Sequence, residues 1–384
     1  MKVKILANAL KEVLQRGSLA ITVDSMKASP YKGFGRITYE DGRLYVQSEG
    51  QSVSSKAFVH TDDLDAENGA CVCNLELIMG MIKFMPKDEP LTLEYQAVEG
   101  DMGHISVRST KSSAQFGCAH PDLYMMMKNP PSDFMFSIDA GDFFKSVSRV
   151  TFAGDSSDAD SKRSNVCVRC DEGTVYVAAA RREMLCYSEV GHADFDMDIF
   201  LPLDTIRGLS KFFLDGDVKF VDDVGNLYLV QERGWVRVCM QSVPGFPRFT
   251  AFAEHKTSGK SRMAVACFAN ALGACMKANQ IEAGAVISDR KITLCAMGTD
   301  NGTKYKGSVM CSEDSDVVSD SITFSPFMIM GFFKGMDEST FDMEVSERGE
   351  SPVVYMKFSD GTTHLFVKER KTMTTDPVTE INNV

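Results

Sequence analysis

The stretch Leu203–Val221, LDTIRGLSKFFLDGDVKFV, recurs in outline twice more in the chain: LELIMGMIKFMPKDEPLTLEY begins at Leu75 and FMIMGFFKGMDESTFDMEV at Phe327. In each, an apolar helical run carries Gly-x-x-Lys (Gly80/Lys83, Gly208/Lys211, Gly331/Lys334), then an acidic turn, then alternating strand residues. The glycines are 128 and 123 residues apart (208 − 80 and 331 − 208). A recurrence at that interval predicts three units of one kind.

Other features fall into step with these segments. A helical stretch precedes each by about half a unit: NALKEVLQR at Asn8, GDFFKSVSRV at Gly141 and FANALGACMKAN at Phe268. Between the paired helices lie EDGRLYV at Glu40, DEGTVYV at Asp171 and SDRKITL at Ser288, which read as turn and strand. A hairpin follows each second helix, with the apolar–polar alternation of strands that bury one face. KNPPSD, with Pro130 and Pro131, and EHKTSGKSR read as seams. The expectation is an α+β chain of three repeated domains at 1–128, 132–253 and 262–384.

The helices are two-faced. Leu203, Ile206, Leu209 and Phe213 share one face and Asp204, Arg207 and Lys211 another. Lys145 and Arg149 stand apart from Phe144, Val147 and Val150, and Lys83 and Lys87 lie opposite Leu75, Ile78 and Ile82. Arg16 completes the first helix. The third repeat is poorer, with Lys277 on its first helix and only Lys334 on a second helix apolar almost all round. Any one of these cations could simply complement a helix dipole and keep a surface soluble; a cation at a related place on six helices suggests a shared basic face.

Composition sets the frame. With 384 residues, 44% hydrophobic and 24% charged, the chain is globular. Its N-terminus lacks an apolar signal centre, and FSPFMIMGFF is too short to span a bilayer. Eleven scattered cysteines fit a reducing cytoplasm better than a disulfide framework. A net charge of −12 argues against nucleic acid as a partner, but says nothing of where the charges sit.

In order and spacing, these segments resemble the bacterial DNA polymerase III β subunit, the sliding clamp, over essentially the whole chain. The likeness rests on the threefold helix–strand–helix–strand plan, on LPLDTIRGLSKFF, on VPGFPRFTAF at Val243 and on the opening MKVKILANALKEVLQR. It implies a homodimer closed head to tail into a ring, with helices lining a central hole around double-stranded DNA and antiparallel sheets outside. Arg16, Lys83, Lys87, Lys145, Arg149, Arg207, Lys211, Lys277 and Lys334 would then face the DNA. It further implies no catalysis and no cofactor, and as partners a clamp loader, a DNA polymerase and other proteins with clamp-binding peptides. Their cleft, carried over by position, would involve Val166, the loop from Ala180 through Met184 to Leu185, Pro247, Phe252, Val367 and Lys368. Here the chain departs from the family: the loop reads Ala-Arg-Arg-Glu-Met-Leu, and charged Lys368–Lys371 replaces an apolar terminal segment. The ring is expected to be kept and the peptide specificity changed, as in a diverged clamp, bacterial or viral. The alternative is a clamp-derived interaction scaffold that no longer encircles DNA, for which the poorly basic third repeat is the motive.

Other chemistry is weakly supported. Cys71-x-Cys73 and Cys167-x-x-Cys170 lack a second ligand pair for structural zinc, so they read as buried core and no metal is expected. Asp155, Asp158 and Asp160 lack the glycine and glutamate of a calcium loop. There is no phosphate-binding glycine loop, nucleophile elbow or His-Glu-x-x-His.

Overall fold

The structure is a computed structural model that describes residues 1–370 apart from 24–32, 99–102, 158–160, 182, 250–251, 253–255, 289, 299–301, 313–319 and 348–353. Asp158, Asp160, Arg182 and Lys371, all named in the sequence reading, lie outside the described residues, as do residues 372–384.

Six principal helices stand where the repeats require them: α1 (Ala7–Gly17), α2 (Leu75–Ile82), α3 (Ala140–Val150), α4 (Leu203–Phe212), α5 (Val265–Ala278) and α6 (Pro326–Phe333). Their two-faced sequences explain them. In α4, Leu203, Ile206, Leu209 and Phe212 are buried while Asp204, Arg207 and Lys211 are exposed. Asp204 in the first turn and Lys211 in the last complement its dipole. The Asn74 side chain caps α2, accepting from the Leu77 N–H at 3.1 Å. In the third repeat the core is aromatic: Phe268 of α5 and Phe332 and Phe333 of α6 pack with Phe341 and Phe358, the closest rings 4.9 Å apart.

The strands carry the repeat more plainly than the helices do. Each repeat has eight described strands, and each builds two antiparallel sets of four. One set runs first–sixth–seventh–eighth, the other fifth–second–third–fourth, and all three repeats obey this order. Between the second and third strands, Asp41-Gly42 and Glu172-Gly173 take positive φ (51° and 73°, 50° and 79°), the twist a two-residue hairpin needs. The expected seam EHKTSGKSR is partly a strand: Thr257–Ala264 is the first strand of the third repeat and pairs with Thr340–Ser346. Its polar, glycine-containing sequence hid it.

Consecutive repeats are welded by one rule, fourth strand to eighth. Val53–His60 of the first repeat pairs with Gly234–Cys239 of the second, and Met184–His192 of the second with Thr363–Lys368 of the third. The chain therefore separates spatially into two compact units, Met1–Gly141 with Asp204–Gln241 and Asp142–Leu203 with Ser242–Val384, and the middle repeat contributes to both. A twelve-stranded sheet runs through the first unit; the second holds sheets of eight and four strands.

At the first weld the backbones lie close. Gly234 has φ +153°, and a Cβ there would overlap the Lys56 carbonyl oxygen. Gly234→Ala is expected to destabilise the chain by about 2 kcal/mol or more, read as a lowered urea midpoint with unchanged slope.

Candidate DNA-facing helices and partner cleft

The nine cations proposed for a basic face divide into two groups. Lys83, Lys87, Lys211, Lys277 and Lys334 are exposed at or just beyond helix C-termini. Lys145 and Arg207 are also exposed, pairing with Asp337 at 2.8 Å and Asp204 at 3.6 Å, where water leaves such pairs weak. Arg16 and Arg149 are different. The Arg16 side chain is only 7% exposed and pairs with Glu12 at 3.0 Å; that of Arg149 is 11% exposed and pairs with fully buried Asp360. Helical spacing could not reveal an acid waiting 211 residues beyond Arg149 (360 − 149).

The residues carried over for the partner cleft are mostly core. Val166, Ala180, Met184, Leu185 and Val367 are each at most 5% exposed. Val243, Phe246 and Phe249, from the VPGFPRF segment, fill the space against Leu185, Tyr187 and Phe366. Pro247, Phe252 and Lys368 remain partly exposed, with the Phe252 ring 5.7 Å from those of both Tyr355 and Phe366. Ala180 and Arg181 pair antiparallel with Leu185 and Met184, at the adjoining ends of strands Thr174–Arg181 and Met184–His192. The charged Lys368–Arg370 segment is tied to Glu183: the Lys368 N–H donates to the Glu183 carbonyl at 2.8 Å, and the Arg370 guanidinium pairs with the Glu183 carboxylate at 3.1 Å.

An open cavity of about 360 Å³ lies elsewhere in the same unit. Phe152, Met184, Met276, Phe327, Met328 and Met330 give it an apolar lining, and Arg149, Arg181 and Lys334 add cations. It thus joins Met184, expected in a peptide cleft, with Arg149 and Lys334, expected on DNA. The signal was in the sequence: a helix apolar all round has more apolar surface than one core can take, and Phe327 is 57% exposed. Arg181 is fixed by Asp155 at 2.5 Å, and a hydrogen bond from Ser157 followed by Arg181 lowers the Asp155 pKa to about 2.

Cys71 and Cys73 also have company that spacing did not show. Cys118, from another strand, lies beside them, all three sulfur atoms within 4.8 Å of one another. Cys167 is packed into the aromatic core instead.

No protein-family model matches the sequence, and no curated protein sequence is similar to it. Solved structures are. The DNA polymerase III subunit beta of Pseudomonas aeruginosa superposes with a TM-score of 0.84 over 97% of this chain and 100% of its own, at 13% identity. The beta subunit from Thermotoga maritima gives 0.83 over 97% and 99%, at 16% identity, and that from Streptococcus pyogenes 0.83 over 97% and 100%, at 12%. This chain has the sliding-clamp fold. The clamp fold is thus reached with a largely different sequence. No described helix is long and apolar enough to cross a membrane.

One titratable group sits in the weld of the second unit. The His364 ring packs tilted against Tyr187, ring centroids 4.8 Å apart, and burial lowers its pKa to about 4. A histidine whose folded pKa lies below its unfolded value of about 6.5 leaves stability intact above pH 6.5, and that stability is lost as pH falls toward 4. Urea midpoints should therefore drop between pH 6.5 and 4 in the natural protein, and less steeply in His364→Gln.

Proposed function

We propose that this chain is a non-catalytic sliding clamp whose two copies close head to tail around duplex DNA and tether a polymerase. The observation that carries the reading is an unfinished weld. Fourth strand joins eighth strand twice within the chain, which leaves the fourth strand of the third repeat, Lys304–Met310, and the eighth of the first, Ser113–Ala119, to repeat the pattern. Lys304–Met310 has one described partner strand, and Ser113–Ala119 meets its second neighbour only through Cys118 and Ala119. Both are seven residues long with the same alternation of exposed and half-buried positions at their outset. Unpaired edges invite another chain, and a second copy supplies the complementary edge at each end. Such a heterologous contact closes only if the rotations sum to a full turn; six domains would complete it.

Helix α2 supports the same occupant. Within the second unit, Gly331 of α6 packs so tightly on Phe152 that a Cβ would overlap the ring. At its counterpart in α2, Gly80, an added Cβ would meet nothing within 4 Å among the described residues beyond its own helix. Around it Leu77, Met81 and Phe84 are 58%, 43% and 85% exposed. Exposed apolar surface of this kind marks an interface. Light scattering at micromolar concentration should report a dimer, and Leu77→Asp with Phe84→Asp should weaken it by at least tenfold, since central anchors are worth about 2 kcal/mol or more. A monomeric natural protein would favour the scaffold reading.

With Arg16 and Arg149 engaged inside the protein, the DNA contact in this reading falls to Lys83, Lys87, Lys145, Arg207, Lys211, Lys277 and Lys334. Diffuse cations allow sliding, because phosphate contacts that fixed a register would stop it. Changing Lys83, Lys211, Lys277 and Lys334 to Glu should preserve the dimer and flatten the dependence of log K on log salt by about one for each phosphate no longer neutralised. An unchanged slope would move the DNA elsewhere. Partner peptides, from the polymerase and the clamp loader, would dock in the methionine-lined cavity, with acidic residues toward Lys334. The protein would work in the cytoplasm, where such DNA lies.

A further inference from the structure

The three-cysteine cluster has no part in the clamp reading. Cys71 and Cys73 are two apart on strand Gly69–Asn74, so they share one face. Cys118 is the direct antiparallel partner of Cys73. None of the three exposes any surface. A single buried cysteine is a small apolar side chain; three sulfurs facing one another in a dry interior are also a ligand set.

We propose that Cys71, Cys73 and Cys118 form a trigonal site for a soft, thiophilic cation, with cuprous ion the best fit. The donors are sulfur only, which selects soft ions. Structural zinc requires four ligands, and among the described residues no further cysteine, histidine, aspartate or glutamate joins the group. The location gives the ion a structural role. Strands Gly69–Asn74 and Ser113–Ala119 pair through only Val72–Ala119 and Cys73–Cys118, and they connect the two four-stranded sets of the first repeat. An ion held by both strands would lock this short seam. Each thiol gives up its proton as its S–Cu bond forms; the ion enters and stays monovalent, so no electron is transferred. Because the sulfurs are sealed from solvent, capture would accompany folding.

The test uses the reduced full chain, refolded anaerobically with and without cuprous ion in a competing chelator, then gel-filtered. One copper per chain should survive, and it should raise the melting temperature, as binding to the folded state requires. Cys71→Ala and Cys118→Ala should retain none and show no shift, whereas Cys275→Ala, at a separate buried cysteine, should behave as the natural protein. X-ray absorption of the loaded natural protein should find sulfur ligands only, which decides the matter even if a variant refolds poorly. Copper retained equally without Cys118, no copper in the refolded natural protein, nitrogen or oxygen ligation, or tighter retention of zinc would each overturn the assignment.

Discussion

A β-sheet ends in a row of unpaired N–H and C=O groups, and the organisation of this chain follows from how those rows are used. Each repeat makes two four-stranded sets in an invariant order, and the fourth strand of one repeat is closed by the eighth of the next. The helices depend on this, because the sheets set the surfaces against which their apolar faces are buried. So do the buried polar contacts at the welds: Ser188 and Thr363 share a 3.0 Å hydrogen bond, and Arg237 donates to Ser54 at 2.7 Å. Both sit where backbone from two repeats must approach closely. A pairing rule that operates twice inside the chain and has its remaining halves at two separate strands is the physical content of the proposal that a second copy is needed.

Charge placement reconciles an acidic chain with the DNA contact proposed for it. Net charge of −12 is an average over the whole surface, whereas association responds to local potential. The exposed lysines near the helix C-termini are both favourable to the helix dipoles and available to a phosphate backbone. Dipole complementation and DNA contact are therefore compatible for each exposed cation, and among the nine Arg16 and Arg149 are the ones whose paired side chains are buried.

Much of the fold was legible because its signals are local and repeated. Gly-x-x-Lys segments, amphipathic faces such as Leu203/Ile206/Leu209, and hairpins such as Asp41-Gly42 report on structure within a few residues. What escaped depends on distant partners. Arg149 looks solvent-facing on α3 until Asp360 is brought beside it. Cys118 is remote from Cys71 and Cys73 until antiparallel register aligns them. Leu185 and Ala180 were expected in a cleft, yet both are buried in one cluster with Phe246 and Phe249. Thr257–Ala264 becomes a strand through its partner Thr340–Ser346, despite a sequence that reads as a linker. Pair contacts of this kind leave no periodic trace.

Amide hydrogen exchange on the two candidate edges tests the central claim most directly. If a second copy completes the weld, backbone amides in both Ser113–Ala119 and Lys304–Met310 should become protected together as concentration rises through the monomer–dimer transition, with Lys291–Met297, already paired on both sides, unchanged. Protection of neither edge in the dimer, or of one without the other, would contradict the account.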